Sequence, residues 1–128
     1  MSVTPIDILR LASDLQLGAA TEVEFRNTIG RAYYAAYHLA TQFHRSLPQP
    51  GANPPDALGV HAALVYSLDH PGIPTTDARY RASRLLSIKL KGFHPIRVKA
   101  DYTLEATTTR EDARDSMIKA REIERLST

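Results

Sequence analysis

The chain has 128 residues, of which 43% are apolar and 23% charged, as is ordinary for a single globular domain covering residues 1–128. It contains no cysteine, which excludes a disulfide scaffold and a zinc site built on thiolates. The net charge of +2 does not by itself indicate a nucleic-acid partner, and no uncharged stretch approaches the ~20 residues of a membrane span. Since residues 1–7 also lack the pattern of a secretory signal, we expect a cytoplasmic protein that does not associate with a membrane.

Two helices are predicted first along the chain. Apolar residues over 5–16 recur at helical spacing, and Pro5 suits the first turn of a helix. The second helix, over 22–46, is indicated most clearly, because Thr21 and Glu24 form a capping-box pattern ahead of apolar residues spaced by three and four. Its many alanines would let neighbouring helices approach closely.

A loop and a third helix follow. Residues 46–55 include four prolines and predict a long exposed loop, because proline cannot propagate a helix. The third helix is predicted over 56–69, with Asp56 as its N-terminal cap and Leu58 on its apolar side.

The fourth helix is predicted over 77–91. Gly92 and Pro95 are expected to interrupt it, because proline in a helix interior removes a hydrogen-bond donor and clashes with the preceding turn. A further helical turn would then begin at Pro95 and end at Tyr102.

The last helix is predicted over 109–126, where Thr108 and Glu111 repeat the capping-box pattern. No segment shows the period-2 alternation of a strand. The sequence therefore predicts an all-α protein, an up-and-down helical bundle of four to five helices.

Residues 79–99 contain seven cationic side chains and no acidic one. These are Arg79, Arg81, Arg84, Lys89, Lys91, Arg97 and Lys99. Such a cluster is typical of a surface that follows a nucleic-acid backbone, which makes Arg79, Arg81, Arg84 and Lys99 candidate RNA-binding residues. It is equally typical of a solvated helix face whose counter-ions lie on neighbouring helices. The sequence leaves both interpretations open.

A polar side of the second helix is the next candidate for function. Asn27, Arg31, Tyr34 and His38 share that side because they recur at helical spacing. They would line a cleft in which Arg31 and Tyr34 bind RNA, or Arg31 would pair with an acid while His38 packs at the helix edge. His61 on the third helix has the same two interpretations.

The remaining histidines adjoin predicted loops and are expected to face solvent; they are His44, His70 and His94. The sequence has no HxxxH or HxxE spacing and no glycine-rich phosphate loop. We therefore expect neither a metal site nor a cofactor. The Gly-x-Ser-x-Gly motif of hydrolases is absent as well.

Two blocks resemble the prokaryotic HEPN-domain family. Residues 26–38 contain Arg-Ala-Tyr-Tyr-Ala, which is similar to a signature of that family, and residues 97–102, Arg-Val-Lys-Ala-Asp-Tyr, resemble its Arg-x-Lys-Ala-Asp-Tyr segment. His61 stands where relatives often carry a histidine. The resemblance covers residues ~20–126 and implies a four- to five-helix bundle, homodimerisation, and a role in toxin-antitoxin or defence systems beside a minimal nucleotidyltransferase.

The resemblance also implies a reaction. Catalytic HEPN proteins are metal-independent endoribonucleases in which an arginine is followed four to six residues later by a histidine. At the matching place this chain has Arg97 and Tyr102, and a phenol with a pKa near ~10 is a poor general base at neutral pH. Arg31 and His38 have a similar spacing but lie in a different helix.

From this resemblance we expect a cleft, shared between the subunits of a homodimer, that binds RNA or a nucleotide and is lined by Arg31, His38, Arg97, Asp101 and Tyr102. If RNA is cut, Arg97 would hold the phosphate and His38 or His61 would transfer the proton. Asp101 would orient Arg97 or a tyrosine hydroxyl. Two alternatives remain. The first is a non-catalytic subunit that presents a substrate to a nucleotidyltransferase or neutralises a partner, which Tyr102 favours, and the second is a purely structural bundle.

Overall fold

A computed structural model describes residues 2–55 and 58–128 of the chain. These residues form five α-helices and no β-strand, and the predicted all-α helical bundle is confirmed. The helices are α1 (Pro5–Gly18), α2 (Glu22–Ser46), α3 (Val60–Asp69), α4 (Ala78–Tyr102) and α5 (Arg110–Ser127). The predicted bounds of α1, α2 and α5 agree with these to within two residues at each end.

Helix α2 lies at the centre of the bundle, in contact with α1, α4 and α5, while α3 packs mainly on α4. Its alanines at positions 32, 35, 36 and 40 are fully buried, as the sequence predicts, and their small side chains permit close helix packing. Larger apolar side chains fill the core around them, among them Ile29, Leu86, Leu90, Phe93 and Ile123.

Reciprocal capping boxes begin three of the helices. Thr21 and Glu24 form the predicted one at α2, and Thr4 and Asp7 form one at α1. At α5 the prediction is wrong by one residue: Thr109 and Asp112 form the box, and not Thr108 and Glu111. Thr108 is buried, and its backbone N–H donates to Glu22 Oε1 at 2.9 Å, so Thr108 serves the contact with α2 and its neighbour caps the helix.

Helix α3 begins later than predicted, at Val60 and not at residue 56. Gly59 is its N-cap, with extended backbone angles, and Leu58 is exposed and does not lie on the apolar side of the helix. Asp56, the predicted cap, lies outside the described residues. The shorter helix places His61 in its first turn, facing α2.

Helix α4 is continuous from Ala78 to Tyr102, and the predicted interruption at Gly92 and Pro95 is wrong. Proline removes the hydrogen bond to the carbonyl of Lys91, but Lys91, Gly92 and Pro95 are all exposed, so water can reach that carbonyl. Buried side chains on both sides of Pro95, those of Phe93 and Ala100, hold the helix against the core.

The loop after α2 is mostly exposed, as predicted, but its first part is anchored. The Gly51 N–H donates to His44 Nε2 at 3.0 Å, and the Ala52 N–H donates to the His70 carbonyl at 3.0 Å. A Cβ on Gly51 would lie 1.9 Å from the Ser67 carbonyl oxygen, so only glycine fits there. The expectation that His44 faces solvent is therefore wrong, because the imidazole is half-buried against this loop; His70 is exposed as predicted.

A buried arginine joins α2 to the end of α4. The Arg26 guanidinium donates to five backbone carbonyls, those of Lys99, Ala100, Thr103, Leu104 and Ala106. It also pairs with Glu22 at 3.1 Å. The Lys99 and Thr103 carbonyls also accept backbone N–H groups, whereas those of Ala100, Leu104 and Ala106 would otherwise need water. The final turn of α4 is thereby fixed against α2.

Candidate functional site

A half-open cavity of about 460 Å³ lies between α2, the start of α3 and the second half of α4. Tyrosines of α2, His61 of α3, and His94 and Arg97 of α4 line it. The cavity thus places the guanidinium of Arg97 among aromatic and imidazole rings.

Arg97 is held in the cavity by an acid and by two tyrosines. Its Nε lies 2.8 Å from Asp101 Oδ2, and its Nη2 donates to the Tyr102 hydroxyl at 3.3 Å. The guanidinium carbon stands over the Tyr102 ring, 5.0 Å from its centre, and over the Tyr33 ring, 5.6 Å from its centre. The predicted Arg97, Asp101 and Tyr102 therefore form one cluster on α4, but the prediction that Tyr102 lines the cleft is wrong, because Tyr102 is exposed and lies outside the cavity.

Gly30 of α2 gives Asp101 the space to stand beside Arg97. A Cβ on Gly30 would lie 2.9 Å from Asp101 Oδ1, closer than side-chain carbons approach a carboxylate. The absence of a side chain at position 30 therefore allows the carboxylate to lie directly against α2.

The two histidines of the cavity form a stacked pair. The rings of His61 and His94 lie 3.8 Å apart and 18° from parallel. Burial, together with the neighbouring His94 and Arg97, lowers the pKa of His61 to about 4. The pKa of His94 is also lowered, mainly by burial and in addition by Arg97. Both imidazoles are therefore neutral at pH 7. The expectation that His94 adjoins a loop and faces solvent is wrong, because it lies inside α4 and is half-buried.

Tyr33 lies beneath the histidine pair. Its hydroxyl is hydrogen-bonded to His61 Nδ1, and its ring meets Phe93 edge-on with centres 5.4 Å apart. Burial raises the pKa of Tyr33 to about 12, so the phenol keeps its proton at neutral pH.

The polar side of α2 lies partly in the cavity. Arg31 and Tyr34 line it, with the Arg31 guanidinium 5.0 Å from the centre of the Tyr34 ring. His38 does not line it: its ring packs against Tyr34 and Tyr37, with centres 4.4 and 5.3 Å away. Arg31 forms no ion pair with any acid in the described part of the chain. Asn27 is exposed.

The basic segment does not form one cationic surface. Because α4 turns about every 3.6 residues, its cations point in several directions. Four of them meet acids outside the segment: Arg79 pairs with Asp77, Arg84 with Asp69, Lys89 with Glu122 and Arg97 with Asp101, at 2.6, 3.3, 2.8 and 2.8 Å. The candidates Arg79, Arg81, Arg84 and Lys99 lie outside the cavity. These ion pairs favour the solvated face, and Arg97 is the segment's one cation in the cavity.

Sequence reasoning missed Gly30, Tyr33, Tyr37 and His94 as members of this site. His94 and Arg97 are three residues apart, a helical spacing that places them on one face of α4 only if the helix continues through Pro95. Nothing in the sequence distinguishes Tyr33 from its neighbouring tyrosines.

Comparisons with protein-family models, curated proteins and solved structures give no match for this chain. The resemblance to the HEPN family stays a prediction. In the described ranges, no helix is long and apolar enough to cross a membrane. Within those same ranges, no group of three or more histidine and acidic side chains is placed to hold a metal ion.

Proposed function

We propose that the chain is a HEPN-type protein whose cavity binds one nucleotide unit of single-stranded RNA. The observation that carries this proposal is Arg97 standing among aromatic rings in a cavity of about 460 Å³, a size typical of small-molecule sites. Aromatic side chains stack on bases, and each such contact contributes about 1–3 kcal/mol. A base against the tyrosines and a phosphate on Arg97 would use both features.

Arg97 has donors left for a phosphate. Its Nε is occupied by Asp101 and one Nη2 hydrogen by Tyr102, while its remaining N–H groups make no hydrogen bond with the described residues. A guanidinium held on one edge by a carboxylate is well placed to grip two phosphate oxygens with its other edge. Arg31 adds a second cation at the cavity wall.

The charges of the cavity match an internal RNA linkage. Arg31 and Arg97 are cations, Asp101 is an anion, and His61 and His94 are neutral at pH 7, which leaves one net positive charge. A phosphodiester carries one negative charge. Binding of such a linkage would therefore neutralise the cavity without a change in protonation.

Weak metal-independent RNA cleavage is a second candidate, favoured by the placement of His61 and His94 beside Arg97. The ribose 2′-oxygen would attack the adjacent phosphorus and form a 2′,3′-cyclic phosphate, while the bond from phosphorus to the 5′-oxygen breaks. The 2′-hydroxyl proton would pass to an imidazole, and the leaving 5′-oxygen would take up a proton from water. Binding is the stronger proposal because imidazoles with lowered pKa are weak bases at pH 7.

The resemblance adds further parts to the proposal. A HEPN-type protein would act in the cytoplasm as a homodimer, in a toxin-antitoxin or defence system. The alternative is a non-catalytic subunit that binds a substrate for a minimal nucleotidyltransferase or neutralises its partner. The absence of a histidine at Tyr102 supports that alternative over catalysis.

The binding proposal is tested with a 5′-fluorescein-labelled 12-nucleotide RNA of mixed sequence, titrated with protein in EDTA and followed by fluorescence anisotropy. Arg97→Gln should weaken binding at least ~10-fold, because it removes charge-assisted hydrogen bonds of about 1.5–3 kcal/mol. Lys91→Gln is the matched control, since Lys91 is exposed on the same helix outside the cavity and loses the same charge. Equal affinity in the two variants, with unchanged circular dichroism, would contradict the proposal.

A gel of the same samples separates binding from cleavage. If the chain only binds, the RNA stays intact over hours. A product ending in a 2′,3′-cyclic phosphate that Arg97→Gln abolishes would instead establish the endoribonuclease.

A further inference from the structure

The hydrogen bond between Tyr33 and His61 has a definite direction. The Tyr33 side chain is buried, and His61 Nδ1 is the one hydrogen-bond partner of its hydroxyl within residues 2–55 and 58–128. If His61 donated, the phenol proton would have no acceptor there. If Tyr33 donates, the phenol proton has an acceptor and the Nδ1 lone pair has a donor. Tyr33 is therefore the donor, and Nδ1 carries a lone pair.

This direction decides where the imidazole proton lies. A neutral histidine has one N–H, and with Nδ1 accepting, the proton must be on Nε2. His61 stays neutral because burial and the nearby Arg97 both lower its pKa. Its Nε2 forms no hydrogen bond with any described residue, and His61 lines the cavity. His94, stacked on the ring at 3.8 Å, limits its rotation.

We propose that Tyr33 is a positioning residue that fixes His61 as the Nε2–H tautomer, so that His61 gives the cavity an uncharged hydrogen-bond donor for a phosphate oxygen. This inference rests on the proposed nucleotide binding. Arg97 and His61 then hold the phosphate from two elements, a cation on α4 and a neutral donor on α3.

The tautomer also assigns the roles of the two histidines if RNA is cut. An Nε2 that already carries a hydrogen cannot accept the 2′-hydroxyl proton. His61 therefore binds the phosphate, and His94 is the imidazole available as the base.

The tautomer is read directly from the free protein by long-range ¹H–¹⁵N correlation at pH 7, with the His61 signals assigned by their loss in His61→Gln. We expect the pattern of a neutral ring protonated at Nε2. Tyr33→Phe should give a mixture of tautomers. Tyr80→Phe, which removes a hydroxyl of α4 outside the cavity, should leave the His61 signals unchanged. A ring protonated at Nδ1, or one unaffected by Tyr33→Phe, would overturn the inference.

Binding of the labelled 12-nucleotide RNA tests the donor itself. His61→Ala should weaken binding about 10-fold, as expected for one lost hydrogen bond to a charged group. His61→Gln should restore most of the affinity, because its amide N–H occupies the place of Nε2–H without charge. If wild type binds RNA and glutamine is as weak as alanine, the donor role is wrong. If wild type binds no RNA, the proposed function fails, and the tautomer remains measured independently.

Discussion

Replacing Arg26 by methionine tests whether the end of α4 depends on a side chain from α2. Methionine fills a similar volume but donates no hydrogen bond, so the carbonyls of Ala100, Leu104 and Ala106 lose their donor, while those of Lys99 and Thr103 keep a backbone N–H. Glu22 still accepts the hydrogen bond from the Thr108 N–H but loses its ion pair with Arg26. We expect the variant to fold with a much lower free energy of unfolding.

The magnitude follows from the burial of these groups. The contact with the Ala100 carbonyl is buried, and the contacts with the other carbonyls are partly open to water. Losing one partner of a buried charged network costs about 3–5 kcal/mol, and the partial access of water places Arg26→Met near ~3 kcal/mol. For a chain of this length that loss lowers Tm by roughly 10 °C.

Urea unfolding followed by circular dichroism at 222 nm measures this loss. Arg45→Met is the matched control, because Arg45 is exposed on the same helix and should change the free energy of unfolding by less than ~0.5 kcal/mol. Hydrogen exchange gives the location: amides at the end of α4 should exchange faster in Arg26→Met, while those in the middle of α5 follow the global stability.

A loss in Arg26→Met no larger than in Arg45→Met would refute this reasoning. It would mean that water replaces the guanidinium at little cost. Arg26→Lys adds a graded test, since a single ammonium has three donors and should retain part of the stability.

Three further predictions concern pH, RNA binding and assembly. Burial lowers the pKa values of His44, His61 and His94 in the folded protein, so the unfolded chain takes up protons first as pH falls from 7 to 5. The free energy of unfolding should therefore fall in that window, with the partly exposed His61 contributing about 1 kcal/mol. A urea midpoint that does not change with pH, or that changes equally in His61→Gln, would contradict this. Because the ion pairs of the basic segment favour the solvated face, replacing Arg81 and Arg84 by glutamine should leave the affinity for a 20-nucleotide RNA and its salt dependence unchanged. A weaker affinity with a lower salt dependence would instead assign both residues to an RNA-binding surface. Sedimentation velocity at micromolar concentration should show a homodimer, and a monomer at all concentrations would remove the shared cleft.

The sequence predicts the bounds of a helix well where residues close together in the chain determine them. Thr21 and Glu24 lie next to each other in space whenever that turn forms, so the start of α2 follows from the chain itself. The free-energy cost of Pro95 in α4 does not follow from local sequence, because it depends on whether the carbonyl of Lys91 faces water or protein. Packing determines which of the two it faces, and the sequence therefore predicts a break where α4 continues.

The site could be predicted only in part. Arg97, Asp101 and Tyr102 lie within one turn and a half of helix, and their cluster needs nothing beyond a helix at that place. The partnership of Tyr33 with His61 joins residues 28 positions apart. It depends on how α3 packs beside α2, which no local pattern encodes.

The final turn of α4 also has an electrostatic consequence. The carbonyl end of a helix carries a partial negative charge of about half an electron, which repels anions, yet Arg97 and the proposed phosphate lie close to that end. The Arg26 guanidinium donates to two of those carbonyls, Lys99 and Ala100, and its positive charge opposes their partial negative charge from inside the protein. If the proposed phosphate binds to Arg97, a buried cation outside the cavity would thus make the carbonyl end of this helix less unfavourable to an anion.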